Sequence, residues 1–394
     1  GSYSKGTYLS NPDFDLFIMF PEEISKKDME RIGLQAGDDI LHGERIFSYH
    51  PYTRGFFEGV EADMAPCSRL DSTEHLRTAV DRTPFHTAYV MSRIDDDGRN
   101  QIRLLKKFMK GIGTYGAEQD SRGFSGYLCE LLVIAYGSFR GVLEGCQKWK
   151  EGFNIVIEEK GPRFKEALVV YDPVDPRRNV ASAVHLDTMA RFMVAAKSYL
   201  DDPRDVFFFP VEGAAPDRES LRAECERRGT RLVSVALRRP DVIEDTLHSQ
   251  LWKTQIAIER LLERNSFHVM RAAHLMTGDS LTVVFELDTD MLPPVVKHQG
   301  PPVWVSSSEN FLRRWKGLTH GEPFIEDGKW TVVIDRRYRE AKKCLDGERE
   351  YAGVGRSLDF KTMVVMDNDE TLENVDTALL NETLGPGFSW DFKS

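Results

Sequence analysis

The stretch Gly1-Ser2-Tyr3-Ser4-Lys5-Gly6-Thr7, followed by Asp13-Phe14-Asp15 and the run Leu16-Phe17-Ile18-Met19-Phe20, constrains this chain more than any other. Leu16 to Phe20 is a short series of β-formers and large apolar residues, the composition of a buried strand. Successive side chains of a strand point to opposite faces, so Asp13 and Asp15 project together while Phe14 turns to the core. Two carboxylates side by side repel each other unless a cation sits between them. Mg²⁺ suits such a pair, because it takes hard oxygen ligands and keeps positions for water and phosphate. Just upstream, the Gly-Ser turn with Lys5 and Gly6 offers backbone N–H groups and one positive charge, the parts needed to hold a triphosphate. Phosphates held beside a metal pair point to nucleotidyl transfer.

Neither half is decisive alone. A D-x-D at a strand end is commonly just solvated, and most G-S-x-x-K-G matches are ordinary turns. A third carboxylate within reach strengthens the case. Val60-Glu61-Ala62-Asp63-Met64-Ala65-Pro66 reads as a further short strand with acids at alternate positions. Asp63 could complete the site from a neighbouring strand, and Glu61 shares its face; spacing does not choose between them.

At 394 residues the chain is too long for one ordinary core, so two or three domains are expected. Its five cysteines are scattered without a CxxC pair, which argues against a zinc site or disulfide framework and fits a reducing cytoplasm. No apolar run reaches the length of a membrane span, and the N-terminus carries no signal peptide pattern, so no membrane partner is expected. The net charge of −11 does not favour a nucleic-acid partner globally, but phosphate contacts use local patches of Lys and Arg.

The chain opens on Gly1-Ser2 without the apolar strand that would deliver such a turn, so a preceding helix and strand are expected outside this sequence. Residues 22 to 42 read as a helix with Met29, Ile32, Leu34, Ile40 and Leu41 as apolar points, and Arg45 to His50 as a strand. Asp71 to Val80 turns polar and helical, and Pro84 is expected to impose a break. Ile102, Leu105, Phe108, Met109 and Ile112 lie at helical spacing, with Arg103, Lys106, Lys107 and Lys110 on the other side. Ser125 lacks a G-x-S-x-G setting and reads as part of a turn into an apolar helix, not as a nucleophile. Tyr171-Asp172-Pro173-Val174-Asp175-Pro176-Arg177-Arg178 is a strand running into a loop, followed by a helix from 186 to 200. Beyond it, a strand at 205–210, a helix at 218–228, a strand at 231–236, a helix at 243–263 and strands at 268–275 and 281–287 begin a ferredoxin-like order. Residues 293–348 look inserted and carry the basic segment Arg313-Arg314-Trp315-Lys316.

Taken together, GSYSKGT, the DFD strand, VEADMAPC, DRTPFH, RLLKKFMKGIGTYGAE, RGFSGYLCELLVIAYGSF and YDPVDPRRNV resemble the archaeal-type (class I) CCA-adding enzymes. These are tRNA nucleotidyltransferases of the DNA polymerase β-like superfamily, and the resemblance runs across essentially the whole chain. It implies an α+β architecture: a nucleotidyltransferase head with a mixed sheet (1–92), a helical neck that holds the nucleotide (93–203), and a ferredoxin-like body with an inserted tail that holds tRNA (204–394). It implies that Asp13, Asp15 and Asp63 are the catalytic, metal-binding carboxylates, with Asp13 one carbon shorter than the Glu common in the family. Ser2 and Lys5 match the phosphate-contacting turn. His86, Lys106 and Tyr115 match triphosphate contacts from head and neck, and Arg178 matches the arginine facing the base. The implied reaction is template-independent addition of CCA to the acceptor end of tRNA from CTP and ATP, with Mg²⁺ as cofactor and pyrophosphate released. A cytoplasmic setting follows, and a homodimer is compatible with the pattern without being required by it.

The base preference has a physical basis. Cytosine and adenine each present an exocyclic amino donor beside a ring-nitrogen acceptor, whereas guanine and uracil present the reverse. Arg178 can only donate, so it can satisfy the ring nitrogen of C or A. Two alternatives share parts of the pattern. A poly(A) polymerase or oligoadenylate synthetase would keep the carboxylates but not incorporate CTP. A catalytically inactive tRNA-binding protein would have no reason to keep Asp13, Asp15 and Asp63 in register.

Overall fold

The computed structural model describes residues 1–10, 14–47, 50–117, 122–210, 216–242, 244–385, 387–388 and 390. The chain divides into two compact units, Gly1–Glu212 with Phe388–Ser394, and Gly213–Gly387. In the first unit a one-turn helix α1 (Ser2–Lys5) precedes strand β1 (Phe14–Phe20), helix α2 (Lys26–Leu41) and strands β2 (Glu44–Phe47), β3 (Pro51–Phe57) and β4 (Val60–Ser68). The strands form one mixed sheet in the order β1-β4-β3-β2, with β1 parallel to β4 and the other pairs antiparallel. Ser25 caps α2 by accepting the Asp28 N–H at 3.1 Å. Met29, Leu34 and Leu41 are buried, while Ile32 and Ile40 of the expected apolar face are exposed. The sheet-facing positions are instead completed by Gly33 and Gly37. A Cβ at Gly33 would stand 2.5 Å from Pro66 Cβ, and one at Gly37 would stand 2.6 Å from Thr53 Cβ. Helix and sheet approach too closely there for any side chain.

The segment from Asp71 to Val80 is irregular rather than helical. It is organised by Asp81, whose buried carboxylate accepts the N–H groups of Ser68 (2.7 Å), Arg77 (3.0 Å) and Thr78 (2.7 Å). These charge-assisted bonds replace the helical ladder. Pro84 does not end the unit either: it lies in the first turn of α3 (Thr83–Arg93), where a missing N–H costs nothing.

The unit continues with α4 (Asp96–Gly111), α5 (Gly126–Tyr136), α6 (Phe139–Cys146), strands β5 (Phe153–Ile155), β6 (Leu168–Asp172) and β7 (Asp175–Asn179), and α7 (Leu186–Asp201). The apolar positions read on α4 are all buried, and Phe108 sits in contact with the rings of Phe139, Phe192, Tyr199, Phe207 and Phe208. The run Asp205 to Pro210 is a 3₁₀ turn over Asp205–Phe207, not a strand. Its phenylalanines satisfy themselves against the helices: Phe207 is fully buried, although Phe209 is exposed. A consecutive apolar run cannot by itself distinguish a strand from an aromatic plug. Trp390 returns to the same core, stacked on Phe207, with its carbonyl accepting from Arg204 Nη2 at 2.9 Å.

The second unit holds α8 (Arg218–Arg228), β8 (Arg231–Arg238), α9 (Glu244–Arg264), β9 (Val269–Thr277), β10 (Ser280–Leu287), β11 (Val295–Pro302), α10 (Ser308–Trp315), β12 (Phe324–Glu326), β13 (Lys329–Asp335), α11 (Ala341–Gly347), β14 (Val364–Met366), α12 (Asn368–Asn374) and α13 (Thr377–Leu384). Its main sheet runs β14-β8-β10-β9 and is antiparallel throughout, the ferredoxin-like arrangement, which starts at β8. A separate sheet, β11-β13-β12, forms the insertion together with α10. Among the described residues no single helix is long and apolar enough to cross a membrane.

Candidate active site

The site is assembled from two kinds of carboxylate. The first lies on the sheet. In the parallel pair β1·β4, Asp15 is the register partner of Asp63, so the two side chains stand beside each other on one face. Glu61 is two residues from that level. Across the antiparallel pair β3·β4, Arg54 faces Asp63 and clamps it: Nε donates to Oδ1 and Nη2 to Oδ2, both at 2.8 Å. Glu61 Oε1 lies 3.5 Å from the same Nε. The sheet carboxylates lie at an open rim, with Asp15 exposed and the Asp63 side chain 26% exposed. Asp13 lies outside the described residues. Hard oxygen donors gathered on one open face, already attracting a cationic group, are a donor set that fits a divalent metal ion.

The second kind is buried. α1 ends on Gly6 in the left-handed region (φ 67°), which turns Gly6 N–H back to Tyr3 O and Thr7 N–H to Ser2 O. That turn carries Lys5 and Thr7 inward to Glu130, in the middle of α5. Lys5 Nζ donates to Glu130 Oε2 at 2.5 Å and Thr7 Oγ1 donates to Oε1 at 2.5 Å. Lys106 Nζ, from α4, donates to Glu130 Oε1 at 3.3 Å, to Thr7 O at 3.0 Å and to Thr7 Oγ1 at 3.2 Å. Lys106 is only 2% exposed, so it belongs to the interior and not to the solvated basic face of its helix. Burial by itself would push the Glu130 carboxyl up; the Lys5 and Lys106 ammonium groups overcome that and hold it below the ordinary glutamate value.

α5 begins beside this cluster. Ser125 is its N-cap, accepting Leu128 N–H at 3.1 Å, which accounts for the serine without any nucleophilic role. The Tyr115 hydroxyl rests over the first turn: a Cβ at Gly126 would meet it at 3.0 Å and Lys106 Nζ at 3.5 Å. Tyr127, one helical turn before Glu130, carries Lys5 Nζ 5.7 Å above its ring and stacks on His86 with centroids 4.0 Å apart.

His86 leads to the second buried acid, Asp172, at the end of β6. Asp172 Oδ2 lies 2.9 Å from His86 Nε2 and accepts from Arg178 Nη1 at 3.0 Å; its Oδ1 accepts from the Tyr127 hydroxyl at 3.1 Å and from Val174 N–H at 3.2 Å. Burial would raise its carboxyl, yet His86, the Val174 N–H and Arg178 keep it below the usual aspartate value. The Tyr127 phenol is driven well above the ordinary range, first by burial and then by the Asp172 charge. Next to it, Asp175 accepts from Arg82 Nε at 2.9 Å and Arg177 Nε at 2.8 Å, fixing the β6–β7 turn to the start of α3.

Thus Lys5, Lys106, His86 and Arg178 are joined by a continuous set of contacts through Glu130, Tyr127 and Asp172, with the Tyr115 hydroxyl beside Gly126 at the same helix start, Asp15 and Asp63 together on the sheet, and Ser2 in the turn that carries Lys5. Sequence reasoning missed Glu130, Asp172, Tyr127 and Arg54. Glu130 had a usable signal: a lone acid inside the apolar helix LCELLVIAY must be paired, because an unpaired buried charge is prohibitively costly.

A strand-borne carboxylate pair beside a Gly-Ser turn and a bank of basic side chains is an arrangement that suits a nucleotidyltransferase. Residues 1–86 match the description of a nucleotidyltransferase domain, residues 100–209 that of the second domain of tRNA nucleotidyltransferase, and residues 228–363 that of the CCA-adding enzyme C-terminal domain. The chain is 38% identical to the CCA-adding enzyme of Picrophilus torridus over 91% of its length and 82% of that protein. It is 37% identical to that of Methanosarcina barkeri over 97% of its length and 85% of that protein. With the enzyme of Methanothermobacter thermautotrophicus the identity is 39%, covering 88% of this chain and 77% of that one. The chain belongs to the CCA-adding enzymes, the archaeal-type tRNA nucleotidyltransferases.

Proposed function

We infer that this enzyme adds CCA to the 3′ end of tRNA from CTP and ATP, with Asp13, Asp15 and Asp63 as the metal-binding carboxylates. The observation that carries the assignment is the register of β1 and β4, which sets Asp15 beside Asp63 on the face next to the Lys5 turn. A divalent cation held by these acids, Mg²⁺ in this reading, would supply a Lewis acid that acidifies the attacking hydroxyl and neutralises the leaving pyrophosphate.

The chain's own residues do the rest. The Ser2 turn and the first turn of α5 offer N–H groups and hydroxyls to the triphosphate, while Lys5 and Lys106 set a positive field around the β and γ phosphates, with His86 beside them. Tyr115 closes one side over Gly126. Arg178 is tethered by one N–H to Asp172, which orients its other donors toward the ring nitrogen that C and A share. The tRNA 3′-hydroxyl attacks the α-phosphorus, the bond to pyrophosphate breaks, and the chain grows by one nucleotide. Arg313, Arg314 and Lys316, on and beside α10 of the inserted sheet, are the proposed tRNA grip of the second unit. Five free, buried cysteines suit a reducing cytoplasm.

The test is to incubate the enzyme with tRNA lacking its CCA end, Mg²⁺ and each labelled nucleotide singly. Addition of C to the bare end, and of A only after two C residues, is expected. Indiscriminate A-tailing would favour a poly(A) polymerase instead.

A further inference from the structure

We propose that Glu130 is a positioning residue for the triphosphate: a buried anionic brace that holds Lys106 as a strut and presents Lys5 to the phosphates. The idea rests on the assignment of these lysines to the triphosphate, and it goes beyond that assignment by giving them different jobs. An ammonium group has three N–H donors. Lys106 uses all of them, on Thr7 O, Thr7 Oγ1 and Glu130 Oε1. Lys5 gives one to Glu130, and among the described residues its remaining approach is toward the Tyr127 ring. Lys106 therefore acts through its charge and through Thr7, while Lys5 keeps donors for a phosphate oxygen.

The brace also solves an electrostatic problem. Two ammonium groups this close, 7% and 2% exposed, repel each other strongly in a low-dielectric interior. One carboxylate between them offsets that repulsion and leaves the cluster with one positive charge in excess to attract a polyanion. Because Glu130 follows Tyr127 by three residues on α5, the same helix face links this brace to His86 and so to Asp172 and Arg178. The phosphate end and the base end of the nucleotide are set by one rigid helix.

The experiment compares CTP, ATP and CMP binding to the complete enzyme with Mg²⁺ and without tRNA, by calorimetry, alongside the melting temperature of the nucleotide-free protein. Glu130→Gln keeps the shape and removes the charge. It should weaken CTP and ATP by the same factor, about ten- to a hundred-fold for lost charge-assisted bonds, and leave CMP unchanged. If Glu130→Gln does not fold, Thr7→Val serves, since it removes one donor to Glu130 and one acceptor from Lys106 without touching any charge. A smaller loss with the same preference for CTP over CMP is expected. CTP and CMP weakened in step with stability, or CTP binding unaltered in both variants, would overturn the brace and leave only a packing role. A wild-type enzyme that binds CMP as tightly as CTP would instead overturn the assignment of the lysines to the triphosphate, and with it the site reading itself.

Discussion

The sheet and the helical region behind it carry carboxylates in opposite states. Asp15 and Asp63 stand side by side at an open rim, and the cation on Asp63 is a half-exposed arginine on the next strand. Glu130 and Asp172 are inaccessible, and each has its oxygens filled by side chains of the fold. The residue chemistry is the same; the difference is how far the fold takes the carboxylates out of solvent. A buried acid whose oxygens are filled by side chains of the fold is a structural fixture that orients those partners. An acid pair at an open rim stays accessible to a cation from outside the chain, even with Arg54 on one of its members. This contrast identifies which carboxylates are candidates for metal and which for positioning.

The largest expected effect breaks the open side. Asp63→Asn should abolish nucleotide addition, by about a thousand-fold or more, since a metal ligand contributes several kcal/mol of transition-state stabilisation. The melting temperature and tRNA affinity should hardly change, because Asp63 lies at the rim. Activity close to wild type would move the third ligand to Glu61.

Asp172→Ala should do the reverse. Removing one partner of a buried ion pair costs about 3–5 kcal/mol, so the unit should lose stability before activity is even considered. Denaturant titration would measure it. A variant as stable as wild type would show that the Asp172 contacts organise nucleotide binding alone.

Arg178→Ala sharpens the comparison at the boundary between the two regions. Arg178 is fixed from behind by Asp172 while its side chain is 38% exposed. Loss of one charge-assisted hydrogen bond is on the order of 1.5–3 kcal/mol, or roughly ten- to a hundred-fold in the rate of adding C and A. Misincorporation of U and G should fall less, so discrimination narrows. Equal losses for all four nucleotides would make Arg178 a phosphate or tRNA clamp.

Much of this division was legible in the residues. The strand bearing Asp15, the strand bearing Asp63, the apolar face of α4 and the apolar α5 follow from the residue pattern, although the Leu16–Phe20 run expected to be buried is only half-buried, with Met19 exposed. Partnerships do not. Period alone left Glu61 and Asp63 equivalent; the two-residue difference acquires meaning only when β1 sets its register against β4. Lys106 shows the same limit from the other side: helical spacing assigns it to the polar face, and only the arrival of Glu130 and Thr7 from distant segments makes its burial affordable. Pro84 and the Phe207–Phe209 run were misread because a breaker can also start a helix, and because aromatic residues can plug a helical core as readily as line a sheet.

The smallest effect is a pH dependence that belongs to the buried side alone. The carboxyls of Glu130 and Asp172 are both held below their ordinary values of 4.5 and 3.8 in the folded chain. A group whose pKa is depressed by folding binds its proton more readily when unfolded, so its stabilisation is complete above the unfolded pKa and disappears as pH falls through the folded one. The two acids should therefore contribute fully at neutral pH and lose their contribution only below the 3.8–4.5 region. Melting curves taken from neutrality down to strong acid should show wild type falling steeply in that window. Glu130→Gln, if it folds, should start lower and fall less steeply, because one of the protons that drives the loss has no site to bind. Parallel curves for wild type and variant would mean that Glu130 is not held ionised by its two lysines, and the distinction between the buried and the open carboxylates would rest on Asp172 alone.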